Sequence, residues 1–422
     1  MKRKRTVIFW AISLCLVLVL SACGNSGGGG SDPAPAPAPA PAPADTPAAD
    51  TGEWPLADID TVSRESKVNP ICADTLELPP PTVPPVPAGY EGKEWNLTFN
   101  DQGNEIMPMG QHTLDALEHI EVRTNGQVKI TPYFNSTLLE MNNQWMGISQ
   151  GLADFSIYSP SMSAGVQPHH SVFGQPATVP YRPNTEMMLM CREFVAKYPE
   201  FEAENNASNI VAVSYMFNPV MTFHTVKGNA ISTLDDLKGK RIIAGAFMKP
   251  YLDTAGAVIV PMGPGEYYTS LEKGVAEGLV AHWPIIRDFN LLELFDTHTT
   301  LGSTKSGIYA SPLMYIGNKT TWDSLPAEYQ QIIREEFDWI GYATGQYNDW
   351  VEEAVQEDAV ALGQSFVNLS DAEAKPFYDL AGEAIHVWAA QAESEGVKDP
   401  MALFNDWMSY LEKGPSPDTK PY

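Results

Sequence analysis

The sequence predicts an α/β fold of two similar lobes, and two observations carry that prediction. Over residues 234–284, short β-branched runs alternate with helix-length periodic segments, the pattern of parallel β-α-β units. The plan also occurs twice. Gly151-Leu152-Ala153-Asp154 leads into a strand stopped at Pro160, and Gly274-Val275-Ala276-Glu277 leads into one stopped at Pro284. Each word follows a helix (140–150 and 266–273), and each helix follows a strand (128–134 and 258–260). Two such halves place two sets of parallel-strand carboxyl ends across a cleft, where open α/β sheets bind ligands.

The elements follow in order. Residues 95–100 form a short strand, and 109–123 an amphipathic helix ended by Thr124-Asn125-Gly126. A helix over 186–197 precedes a strand over 210–217. A turn closing at Gly239 opens the second half, with strands over 241–246, 257–261 and 278–282. A further strand returns over 309–316. Residues 325–363 make a long helical tract with Pro326 in its first turn. Ser370 caps a helix running to 395 with an interruption near Pro376, and 406–413 form a last short helix. The first lobe takes about 94–216 plus 310–345, and the second about 217–309 plus the C-terminal helices.

The N-terminus is read apart from the fold. Lys2-Arg3-Lys4-Arg5 precedes an apolar run over 7–20, too short for a comfortable membrane span and typical of a signal peptide, here 1–22. Leu20-Ser21-Ala22-Cys23 resembles a bacterial lipobox, which implies cleavage before Cys23 and a lipid on that thiol. Residues 23–90 form a stalk: glycine-rich at 24–31, then Pro-Ala repeats over 33–44 that reach about 37 Å as polyproline II. A net charge of −26 excludes charge-driven binding to nucleic acid or anionic lipid. Of the four cysteines, Cys15 leaves with the signal peptide and Cys23 takes the lipid. Cys72 and Cys191 remain, either paired as a disulfide or as separate thiols.

The wording of the second half is specific. Asp236-Leu237-Lys238-Gly239-Lys240-Arg241-Ile242, followed by Pro261-Met262, Glu266, Tyr268, Ser270-Leu271 and Gly274-Val275-Ala276-Glu277-Gly278, resembles the extracytoplasmic solute-binding proteins of TRAP (tripartite ATP-independent periplasmic) transporters, the DctP-like family. The segment TNGQVKITPYFNS (124–136) is similar to the family's first-lobe motif, and the resemblance covers about 94–415. It implies a two-lobed, periplasmic-binding-protein-like fold with a hinge and long C-terminal helices lying across both lobes. It also implies a non-catalytic function: capture of a small organic solute by lobe closure and its delivery to TRAP membrane subunits, with no cofactor. A surface receptor serving a sensor system is the alternative. A secreted hydrolase is the weaker one, because Gly147-Ile148-Ser149-Gln150-Gly151 fits G-x-S-x-G but precedes a strand, the reverse of a nucleophile elbow. His169-His170 are adjacent, point apart on a regular element, and match no metal-site spacing.

Strand ends give the candidate ligand-binding residues: Asn100, Asn135, Tyr158 and Ser159 in the first lobe, Phe217 and Asn218 at the hinge, and Phe247, Glu266, Tyr267, His282 and Trp283 in the second. Glu266 also reads as an early-helix acid favouring the dipole, and Phe217 as core. The resemblance implies an arginine four residues past Gly239 that clamps a substrate carboxylate, and here that position is Ile243. No other side chain reproduces a guanidinium fork. Either Lys249, Arg182 or Arg287 replaces the clamp, or the ligand is neutral or aromatic and Ile243 lines an apolar wall.

Overall fold

The structure is a computed structural model that describes residues 83–160, 166–175, 179, 182–245, 248–303, 306–310, 312–417 and 419. The signal segment, Cys23, Cys72, most of the stalk and Phe247 lie outside the described residues.

The chain runs β1 (Trp95–Asn100), α1 (Pro108–Arg123), β2 (Val128–Tyr133), α2 (Gln144–Ser149), β3 (Phe155–Tyr158), α3 (Asn184–Lys197), α4 (Pro199–Ala207) and β4 (Ile210–Phe217). It then crosses to β5 (Thr222–Thr225), β6 (Arg241–Ile243), α5 (Lys249–Thr254), β7 (Val258–Val260), α6 (Tyr267–Glu272), β8 (Gly278–Ala281), α7 (Trp283–Asp288) and β9 (Thr297–Thr300). After returning through β10 (Pro312–Asn318) and α8 (Lys319–Ser324), it ends with α9 (Ala327–Ala361), β11 (Ser365–Asn368), α10 (Asp371–Ser394) and α11 (Pro400–Lys413).

Two sheets result, ordered β2-β1-β3-β10-β4 and β11-β9-β5-β8-β6-β7. The repeated words mark a repeated topology. β1 lies between parallel β2 and β3, and β6 lies between parallel β7 and β8. Gly151 and Gly274 end the preceding helical turns with φ of 74° and 67°, a left-handed conformation that glycine adopts without steric cost. The acid three residues later does the same work in both halves. The Asp154 carboxylate accepts the β1 amide of Thr98 at 2.9 Å, and Glu277 accepts the β6 amide of Arg241 at 2.7 Å. Each lobe then adds one antiparallel strand delivered by a crossing: β10 beside β3, and β5 beside β8.

Long helices tie the lobes. Along α9, Tyr329, Ile332, Ile333, Phe337 and Ile340 pack in the first-lobe core, and Tyr347, Val351, Val355 and Ala359 in the second. Along α10, Phe377, Leu380 and Ala381 join the second lobe, and Ile385, Trp388 and Ala392 the first. Burying each large apolar side chain stabilises by about 1.5–3 kcal/mol, so both helices are anchored at both ends.

Three expectations need correction. α11 packs on the first lobe alone through Leu403, Phe404, Trp407 and Leu411, so the C-terminal helices do not all belong to the second lobe. It also begins at Pro400, because Asp399 accepts the Ala402 amide at 3.0 Å and proline suits the first helical position. α10 runs through Pro376 unbroken. That proline removes one donor near the start, but the Ser370–Glu373 capping box holds the end, and Phe377 and Leu380 bury the face that follows.

Candidate functional site

Topology puts the carboxyl ends of β1, β3 and β4, and of β6, β7 and β8, at the binding ends of their sheets. Besides α9 and α10, the chain passes between the lobes at 218–221 and through 306–310, and the isolated bridge Met221↔Tyr309 pairs these two crossings.

The candidates fall into distinct groups. Tyr158 and Ser159 end β3, fully and nearly fully buried, with the Tyr158 ring 5.2 Å from Trp145. Asn218 is half-buried at the crossing. His282 follows β8, and its Nδ1 accepts the Ile285 amide at 3.4 Å as the cap of α7. That bond leaves the hydrogen on Nε2, so the ring presents a donor. Burial holds the imidazole down at about 3, and it is neutral at physiological pH.

Other candidates belong to the frame. Asn100 accepts the Leu139 amide at 2.8 Å and donates to Ser156 Oγ at 3.3 Å, bracing the loop before α2. Phe217 stacks on Trp407 with centroids 5.8 Å apart. Ile243 is fully buried among Leu271, Leu279 and Val351. Trp283 packs edge-on to His224 at 4.8 Å. Asn135 and Glu266 are exposed, and Tyr267 is half-buried against Phe289. Burial pushes the Tyr267 phenol up to about 12.

The three cations named as substitutes for the absent arginine are engaged elsewhere. Arg182 donates to the carbonyls of Leu411 and Glu412 and pairs with Glu186. Lys249 pairs with Asp253 on the surface. Arg287 lies over the Trp350 ring at 5.1 Å. Cys191 is a buried free thiol, and burial pushes its pKa well up. His169 and His170 do not point apart as expected. Both face Glu204, at 3.8 and 2.9 Å, because they open a tight helical turn instead of a regular element. Ser149 closes α2 ahead of a strand. Among the described residues no group of three His, Cys, Asp or Glu is placed to hold a metal ion.

Sequence reasoning missed a set of amides. Gln144 opens α2, is fully buried, and neither its Nε2 nor its Oε1 has a hydrogen-bond partner. Asn184 Oδ1, at the start of α3, and Gln102 Oε1, just past β1, are buried and unpartnered as well. Gln102, just past β1, and Gln144, at the start of the helix that crosses from β2 to β3, lie at the binding end of the first sheet. The signal was available: Gln144 lies one turn before Ile148, which is fully buried, so a glutamine occupies a core-facing position.

A family model described as "bacterial extracellular solute-binding protein, family 7", DctP, matches residues 99–392. The chain belongs to the DctP family. This DctP-family protein is 22% identical over 336 residues to the uncharacterized protein YiiZ of Salmonella typhimurium, covering 73% of this chain and 91% of that protein. It is similar to a marine metagenome TRAP solute-binding protein, specific for aromatic acids and solved with 3-hydroxybenzoate. The TM-score is 0.67 and the identity 21%, over 76% of this chain and 99% of that one. It is also similar to a TRAP periplasmic solute-binding protein from Desulfovibrio salexigens with bound orotic acid, at TM-score 0.65 and 19% identity over 75% and 100% of the two chains. Family and fold together make this a two-lobed extracellular solute-binding protein of the DctP family.

Proposed function

We propose that this DctP-family protein captures a small organic acid between its lobes while tethered to the membrane by a lipid on Cys23. The observation that supports this reading most directly is the pairing of two repeated β-α-β cores through two crossings and two straddling helices. Such a frame lets the lobes close about a hinge, with the closed state populated by a solute that touches both faces. The solutes bound in the two structural neighbours, 3-hydroxybenzoate and orotic acid, are both acids. With Ile243 in the core and Lys249, Arg182 and Arg287 engaged, this chain is read as holding its solute chiefly through neutral donors. His282 Nε2 is one of them, beside Tyr158, Ser159 and Asn218. No covalent step enters the reading.

A thermal-shift screen of matched carboxylates and their neutral amide or alcohol analogues tests it. A solute at 100 times its dissociation constant adds about 2.7 kcal/mol of stability, readily visible in the melting midpoint. Shifts with acids support the reading, and shifts confined to neutral compounds overturn the acid assignment. For the tether, Cys23→Ser should release the protein from the membrane fraction. Retention of the variant there would contradict the lipid assignment.

A further inference from the structure

Gln144 has no place in the frame. Its carboxamide is fully buried and makes no hydrogen bond through either atom, although buried polar groups are almost always paired. α2 holds it at the binding end of the first sheet. Leu139, five residues earlier, is tied to Asn100 at the end of β1. At the other end of α2, the Ile148 carbonyl accepts from Asn318, the last residue of antiparallel β10, at 2.7 Å. The helix therefore points its first residue toward the side where β1 and β3 finish. There Gln144 neighbours Trp145, whose ring packs on Tyr158.

We propose that Gln144 reads the solute through both atoms of its amide, selecting an organic acid that carries a neighbouring C=O and N–H, as in a lactam or cyclic imide. This inference rests on the capture reading and deepens it. A carboxylate alone satisfies Nε2 but turns only lone pairs toward Oε1, so one buried acceptor stays unmet. A cis-amide edge meets Nε2–H with its carbonyl and Oε1 with its N–H. Sites built to hydrogen-bond a donor–acceptor pair reject analogues lacking it far more strongly than apolar pockets reject a missing methylene. Lobe opening would give the solute access to a side chain that has no exposed surface here.

The test compares 5-oxoproline with cyclopentanecarboxylate, which keeps the ring and carboxylate but lacks the lactam, by calorimetric titration of wild type, Gln144→Leu and Gln144→Met. Wild type should bind the lactam acid at least tenfold more tightly, and both variants should lose that preference. The variants should also melt higher than wild type in the absence of solute, because an unpartnered buried amide has been replaced by apolar atoms. A structural glutamine would give the opposite shift. Retained preference in a folded variant, or a lowered midpoint in both, overturns the assignment while leaving capture of acids intact. If wild type binds cyclopentanecarboxylate as tightly as 5-oxoproline, the lactam selection fails and acid capture stands. If wild type binds neither these acids nor any other, both readings fail together.

Discussion

In the first lobe β1 sits between β2 and β3, and in the second β6 sits between β7 and β8. Both repeats end their helices on a left-handed glycine and tie the next strand with an acid, yet the lobes bury polarity differently. The second lobe buries His224 and His298 with their Nδ1 atoms 2.7 Å apart. His298 Nε2 meets Gln364 Oε1 at 2.8 Å, and His224 Nε2 lies 3.2 Å from Thr222 Oγ1. Each of these ring atoms lies within hydrogen-bonding distance of a polar atom supplied by the fold. The first lobe buries Gln144, Asn184 and Gln102 with atoms left unpartnered. A buried polar group with partners holds a frame together. One without them is a cost that folding alone does not explain, and a bound solute can relieve it.

The largest expected effect breaks the second lobe's pairing. His298→Leu strands the buried His224 Nδ1 in an apolar core where His298 now packs on Trp283, Phe295 and Phe366. Chemical denaturation should show a loss of about 2–3 kcal/mol. A loss below about 0.5 kcal/mol would mean that the histidines are not an obligatory pair.

The same pair gives a pH signature. Burial holds His298 at about 4 against 6.5 for the free group. Above pH 6.5 neither the folded nor the unfolded chain carries this proton, and the contribution of the neutral ring is whole. As pH falls from 6.5 to 4 the unfolded chain takes up the proton first, and stability is lost, by up to about 3 kcal/mol. Burial also holds Asp338 and Asp349 up at about 6, and these act in the opposite sense, since the folded chain is protonated first. Comparison with His298→Gln separates the two. The advantage of wild type over the variant should shrink between pH 6.5 and 4, and a gap independent of pH would exclude the linkage.

A third expectation sharpens the likeness of the lobes. Asp154→Asn and Glu277→Gln each weaken an acid that ties the start of one strand to its neighbour. Each should cost about 1–2 kcal/mol, read by urea midpoint, with the two losses similar in size. A large effect in one lobe only would show that the repeat is topological and not energetic. The smallest effect is the opposite in sign: Gln144→Leu should gain about 1 kcal/mol without solute.

Much of the fold was legible in the sequence because its strands are apolar and bounded. IVAVSYMF reads as a strand and forms β4 over the same residues. The two helix-glycine-acid-strand words located both repeats. β5 and β9 were missed because TFHT and THTT bury threonine and histidine, whose neighbours come from β8, β11 and the helices beside them. No periodicity announces a polar strand whose partners come from elsewhere. The site was less legible. Tyr158, Ile243 and Trp283 drew notice as large side chains at strand ends, but sequence position does not say whether a side chain faces the cleft or the helix layer. Ile243 and Trp283 went to the core. Gln144 drew none, because a single glutamine in a six-residue helix makes no motif.

Capture by lobe closure changes a distance across the lobes. Met146 on α2 and Val275 after α6 are both exposed, one on each lobe, and spin labels at Met146→Cys and Val275→Cys report their separation by pulsed electron resonance. An acid shown to bind should shift the distance distribution to a shorter, narrower one. Saturating acid that leaves the distribution unchanged would contradict closure as the mechanism of capture.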